Sequence, residues 1–141
     1  MIKFNSVGQI EKIYCFEKAV ADEAVLNGAF GVVEDGKFSV AANELKAVMQ
    51  IEVGDDMYMD DYKIPAKTPL RVVDLAEVAK QYPMNPVVEV YDRELASKVA
   101  VGDMLVSDAN GKLVAGGAAP CLEVKKIIGN KLGVEVAIVL E

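Results

Sequence analysis

The sequence contains no histidine and no tryptophan, and it has only two cysteines, Cys15 and Cys121, and two arginines, Arg71 and Arg93. Without histidine, the chain lacks the most common general base and the most common metal-binding side chain of proteins. A Ser-His or Cys-His nucleophile pair cannot be assembled, and neither a Walker loop nor a dinucleotide-binding fingerprint is present. We therefore predict that the protein is not an enzyme, and we expect no catalytic residue, no metal site and no cofactor.

Clustered positive charge is also missing, since 15 basic residues are scattered among 22 acidic ones and the net charge is −7. Phosphate backbones are bound by clusters of Lys and Arg, so we expect no nucleic-acid partner. An acidic surface disfavours anionic membranes, and no apolar run approaches the ~18–20 residues that span a bilayer. Residues 1–10 have no secretory-signal pattern, so we expect a protein that is made and kept in the cytoplasm, or in a particle assembled there.

Both cysteines lie among apolar neighbours, which favours buried free thiols; a disulfide between them is the alternative.

Alternating apolar residues predict several strands. Residues 45–53 alternate with a period of two, as expected of a half-buried strand, and residues 122–140 form a hairpin pattern with its turn at 129–133. Asp35-Gly36 and Asn110-Gly111 each lie between two short apolar runs, which predicts tight hairpins. Further short strands are expected at residues 70–73 and 87–91.

Helical patterns are few. Residues 16–26 are rich in Ala and Glu and are followed by Asn27-Gly28, which predicts a helix and its stop; residues 75–80 predict one or two turns. We therefore expect a mainly β fold, a small barrel or sandwich of short antiparallel strands with one or two short helices. Residues 11–141 are predicted to form a single domain, and residues 1–10 a flexible N-terminal arm that orders against a partner.

Four carboxylates, Asp55, Asp56, Asp60 and Asp61, surround an apolar triplet at residues 57–59. They predict a solvated acidic loop, with a Ca²⁺ site as the alternative. In the triplet, Met57, Tyr58 and Met59 are candidates for a partner-binding surface, or they plug one end of the barrel.

Lys112 follows the Asn110-Gly111 turn, and biotinyl and lipoyl carrier domains present a lysine in a hairpin. In those domains the lysine lies inside the turn, so a lysine at the start of a strand is the preferred interpretation.

Two stretches resemble the head decoration proteins of tailed bacteriophages: residues 21–33 (ADEAVLNGAFGVV) and residues 101–114 (VGDMLVSDANGKLV). Between them lies an acidic middle containing Met-Tyr, and an apolar last strand follows. The resemblance implies a non-catalytic protein of the virion, assembled in the host cytoplasm, that binds the major capsid protein on the capsid surface. It also implies a homo-oligomer, with a trimer favoured.

Under this interpretation the N-terminal residues Met1, Ile2, Lys3 and Phe4 are candidates for capsid attachment, by apolar anchoring or by extending an edge strand on the shell. One alternative is a β-barrel interaction module of another virion part, such as the tail, or of a host protein. Another is an enzyme that uses carboxylates such as Asp55 and Asp60, or a cofactor carrier modified at Lys112.

Overall fold

The computed structural model describes residues 2–4, 16–49, 63–81 and 87–141, and these residues form a mainly β fold, as predicted. The strands are β1 (Ile2–Phe4), β2 (Phe16–Ala21), β3 (Val25–Leu26), β4 (Phe30–Glu34), β5 (Lys37–Val40), β6 (Lys46–Val48), β7 (Lys63–Ile64), β8 (Pro69–Asp74), β9 (Val88–Val90), β10 (Met104–Ser107), β11 (Leu113–Ala115), β12 (Cys121–Ile128) and β13 (Gly133–Val139). The helices are α1 (Leu75–Gln81) and α2 (Arg93–Lys98). Neither helix is long and apolar enough to cross a membrane.

Five strands close into a barrel in the order β2-β5-β4-β6-β8. The β4–β5 hairpin confirms the prediction from Asp35-Gly36, whose φ angles of 51° and 75° suit a tight turn. Strand β6 confirms part of the strand predicted at residues 45–53, although residues from 50 onward lie outside the described part of the chain. Phe38 is completely buried in the barrel interior, where it packs in one cluster with Val48 and Val72.

The helix predicted at residues 16–26 is wrong. Strand β2 instead pairs antiparallel with β8 and parallel with β5, and β3 pairs with β7. Burial in β2 follows a period of two, since Ala19 and Ala21 are 4% and 1% exposed while Val20 between them is 39% exposed. Long-range strand pairing therefore outweighs the helix propensity of the Ala-rich and Glu-rich sequence.

A six-stranded antiparallel sheet has the order β1-β9-β13-β12-β10-β11. Its longest pairing, β12 with β13, confirms the hairpin predicted over residues 122–140. The short strands predicted at residues 70–73 and 87–91 correspond to β8 and β9. Strands β1 and β11 occupy the two edges of this sheet, so each has one strand neighbour within it.

Both helices contact β13. Helix α1 confirms the turn or two predicted at residues 75–80, and it buries Leu75 and Val78. Helix α2 was not predicted; it buries Leu95 and Ala96, and the Asp92 side chain caps it by accepting a hydrogen bond from the Leu95 amide at 3.1 Å.

One hydrophobic cluster joins the barrel to the sheet. Phe30 and Val73 from the barrel pack in the same cluster as Leu122 and Val136 from the inner face of the sheet, with α1 and α2 alongside. The inner face of the sheet is therefore covered by the barrel and the helices. The opposite face of the sheet is its outer face.

Candidate interaction surface

The β10–β11 hairpin is fixed to the barrel at Gly111. The amide of Phe30, the first residue of β4, donates to the Gly111 carbonyl at 2.8 Å. A Cβ atom at position 111 would lie 2.5 Å from the Phe30 carbonyl oxygen, and the φ angle of Gly111 is +76°. Both the close approach and the left-handed backbone require glycine at this position.

Ser107, the last residue of β10, makes a second connection to the barrel. Its hydroxyl donates to the Ala41 carbonyl at 2.9 Å and accepts from the Glu44 amide at 3.0 Å. Its own carbonyl accepts from the Asn43 amide, also at 3.0 Å. Because Ser107 is only 3% exposed, these hydrogen bonds form with little access of water. Together with Gly111, this serine holds the hairpin in one position against the barrel.

The hairpin loop is also ordered from within. The last strand pair is Ser107 with Leu113, so the loop spans residues 108–112 rather than the two-residue turn expected from Asn110-Gly111. The Asp108 carboxylate accepts from the Asn110 and Lys112 amides at 2.9 and 3.0 Å. A hairpin was correctly predicted here, but the side chain of Asp108 stabilises a longer loop.

Three apolar side chains share the outer face of this hairpin: Met104 and Val106 on β10, and Val114 on β11. Val106 lies directly opposite Val114 in the strand register, and Met104 is two residues before Val106, which places it on the same face. Met104 and Val114 are 36% and 40% exposed. We call these three residues the hairpin patch. Val101, three residues before Met104, is 63% exposed.

The hairpin patch borders β11, whose one strand neighbour among the described residues is β10. The Asp108 amide donates to the Lys112 carbonyl, and the Gly116 amide donates to the Met104 carbonyl. In residues 112–116, the main-chain groups of every second residue, starting at Lys112, therefore point towards β10. The main-chain N–H and C=O groups of Leu113 and Ala115 therefore point away from β10, towards the edge of the sheet. Such an edge can accept an added strand.

Cys121 lies beneath this surface. It is a buried free thiol, as predicted, and its sulfur is 3.8 Å from the Met104 sulfur. Burial, with a smaller effect from Glu123, raises the pKa of the Cys121 thiol. The thiol is therefore protonated and unreactive at neutral pH. Cys15 lies outside the described residues.

The other end of the outer face is charged. Glu89 on β9 and Glu135 on β13 are opposite each other in the register, and Lys126 on β12 is opposite Glu135. The Tyr91 hydroxyl donates to the Glu89 carboxylate, and this hydrogen bond, with burial and the two carboxylates, raises the pKa of Tyr91 to about 12. The outer face thus changes from apolar at β10–β11 to charged at β9–β13.

A cleft of about 800 Å³ opens beside the hairpin loop, between the β3–β4 turn and the start of α2. Lys112 lies on its rim, exposed and immediately before β11, which agrees with the interpretation of a lysine at the start of a strand. Lys98 mainly, and Lys112 to a smaller extent, hold the pKa of Glu94 below its ordinary value. Among the residues with described positions, no group of three or more His, Cys, Asp or Glu could hold a metal ion.

Of the partner-binding residues predicted from the sequence, Ile2, Lys3 and Phe4 lie in the described part of the chain. Ile2 is 1% exposed and packs in this chain's own core, while Lys3 and Phe4 complete β1, which pairs with β9. Residues 2–4 of the predicted arm therefore form a strand of this chain, and the rest of the arm, residues 1 and 5–10, lies outside the described residues. Met1 and the candidates Met57, Tyr58 and Met59 lie outside the described residues, as do the four aspartates at positions 55, 56, 60 and 61.

The hairpin patch was not predicted as a contact surface. The signal for it is the run Met104-Leu105-Val106, since an apolar residue on both faces of an edge hairpin indicates that its outer face is also used. Comparison of the chain with models of known protein families gives no match, and comparison with curated proteins gives none either.

Proposed function

We propose that this protein is a non-catalytic decoration protein that binds the major capsid protein on the outside of a tailed-phage head and stabilises it, acting as a homo-oligomer, with a trimer favoured. The observation that carries the proposal is the hairpin patch beside β11, whose outward main-chain groups have no strand partner among the described residues. An exposed apolar surface next to such a strand edge is a surface for binding another protein.

The two stretches that resemble decoration proteins support this proposal by their position. Residues 21–33 include β3 and β4, and residues 101–114 include β10 and the start of β11. They are far apart in the chain but meet at the hydrogen bond between the Phe30 amide and the Gly111 carbonyl. The resemblance therefore belongs to one continuous region that presents the hairpin patch.

The small size of the patch fits a decoration protein. A surface of two exposed apolar side chains, the half-buried Val106 beside them and two strand-edge residues gives weak binding for one copy. A homo-oligomer that engages several equivalent capsid positions multiplies these weak contacts into stable attachment.

The test is co-sedimentation with empty heads assembled from the major capsid protein encoded in the same genome. The Val114→Lys variant places a charge in the hairpin patch, and Val20→Lys is its matched control, because Val20 is equally exposed at 39% but lies on the barrel. Burying the exposed 40% of a valine contributes about 1 kcal/mol, and a lysine adds the cost of burying its charge.

We therefore expect Val114→Lys to weaken head binding at least ~10-fold, the equivalent of about 1.4 kcal/mol, while Val20→Lys binds like the unchanged protein. Equal binding by both variants would exclude the hairpin patch as the contact. A stable oligomer with no affinity for heads would refute the proposed function and favour an interaction module of another virion part.

A further inference from the structure

Strand β1 comes from a different part of the sequence than the other strands of its sheet. The other strands of the six-stranded sheet all come from residues 88–139, whereas β1 comes from residues 2–4. Within the sheet, β1 pairs only with β9, through the three residue pairs Ile2–Val90, Lys3–Glu89 and Phe4–Val88. It is therefore a short segment, distant in sequence, that completes one edge.

Strand β1 is anchored to the core by the side chain of Ile2. Ile2 is 1% exposed and belongs to the hydrophobic cluster that contains Val88, Val90 and Leu95. The three paired positions of β1 are fewer than the seven that join β12 to β13, and an edge strand with so few pairs is among the first elements of a sheet to open. Local opening of such an edge leaves the rest of the core folded. It exposes the edge of β9 and an apolar site shaped for isoleucine.

We propose that in the oligomer β1 of each copy pairs with β9 of a neighbouring copy, so that Ile2 fills the neighbour's core. This inference rests on the homo-oligomer of the proposed function. The exchanged strand makes the same contacts as the strand within one chain, so no new interface is required. The pairing runs from β1 of one copy to β9 of the next, and contacts of this head-to-tail kind form a ring, such as a trimer, when the rotation between copies closes.

The length of the connection permits the exchange. Eleven residues, 5–15, separate Phe4 from Phe16, and a chain of that length reaches about 40 Å when extended. A globule of 141 residues has a radius of gyration of about 14 Å. The connection is therefore long enough to reach an adjacent copy. Neighbouring positions on a capsid raise the local concentration of copies and favour pairing between them.

Strand exchange also accounts for a partner-binding N-terminal segment whose isoleucine is buried. The same side chain that is buried in one copy's core becomes the contact between copies. The partner for this edge is then a second copy of the chain, and the capsid contact remains at the hairpin patch.

The test is a disulfide across the β1–β9 pair. Lys3→Cys and Glu89→Cys are combined in a Cys15→Ser background, oxidised, and analysed on a non-reducing gel alongside light scattering. The control pair is Glu123→Cys with Ala137→Cys, which are register partners in the continuous β12–β13 hairpin. We expect covalent dimers and trimers from the first pair and only single-chain species from the control.

If light scattering shows an oligomer but the disulfides join residues of the same chain, the exchange is refuted. It is also refuted if light scattering gives the mass of a single chain at every protein concentration. If the double variant does not fold, Lys3→Cys and Glu89→Cys are placed on separate chains and refolded together. A disulfide between the two chains then supports exchange, and its absence refutes it. Head binding is measured separately, so single-chain disulfides in a protein that still binds heads refute the exchange alone.

Discussion

Ser107→Ala tests whether the barrel and the sheet are joined as the structure indicates. The substitution removes the hydroxyl that bonds the Ala41 carbonyl and the Glu44 amide, and it leaves both main-chain groups without that partner. A fully buried unsatisfied group costs about 1–3 kcal/mol. Both Ala41 and Glu44 are half-buried, so water can compensate in part, and we expect a total loss of about 2 kcal/mol.

The assay is urea denaturation followed by circular dichroism, with thermal melting in parallel. For 141 residues the unfolding entropy is about 0.3 kcal/mol per degree, so this loss lowers Tm by about 7 °C. The matched control is Ser39→Ala, at an exposed position on β5, for which we expect a change within about 0.5 kcal/mol. If both variants lose the same free energy, Ser107 does not join the two parts and the reasoning is wrong.

Two further outcomes can be measured on single variants. Gly31→Ala should lose about 3 kcal/mol of unfolding free energy, because its Cβ would lie 2.0 Å from a main-chain oxygen. Gly36→Ala meets no atom within 4 Å and should lose only about 1 kcal/mol; equal losses would contradict the close β4–β5 contact. Tyr91, with its pKa raised to about 12 from an ordinary 10.0, should lose its stabilising effect as pH rises from 10 towards 12, since only the unfolded chain then releases the proton. In Glu89→Gln, ultraviolet titration should show this pKa falling towards 10, and an unchanged titration would refute the assigned cause.

The hairpins could be predicted because their determinants are local. Asp35-Gly36 supplies the two positive φ angles of the β4–β5 turn, and the alternation in residues 122–140 gives the two faces of β12 and β13. The loop after Ser107 differed from the prediction because the Asp108 side chain accepts two main-chain hydrogen bonds. A side-chain contact of this kind changes the loop length without changing the hairpin.

Strand β2 could not be predicted from its own residues. Its partner β8 lies about fifty residues away, and the alternation that marks it as a strand depends on small alanines at positions 19 and 21 that face the barrel interior. The missed helix α2 is only six residues long, and its signals were the Asp92 cap and the Glu94–Lys98 pair. In β2 the local preference for helix was weaker than the pairing with β8, whereas in α2 the local signals agree with the structure but extend over less than two turns.

The order of the strands determines how the two proposed contacts relate. Strands β1 and β11 are separated by five strand-to-strand spacings, which corresponds to about 24 Å across the sheet. A neighbouring copy at β9 and a capsid protein at the hairpin patch therefore occupy opposite edges and do not compete. Val114→Lys should consequently weaken head binding without changing the mass of the oligomer, whereas removal of residues 1–4 should dissociate the oligomer and weaken head binding through the loss of multivalency. If Val114→Lys also dissociates the oligomer, the hairpin patch holds copies of the chain together, and the assignment of the two edges must be reversed.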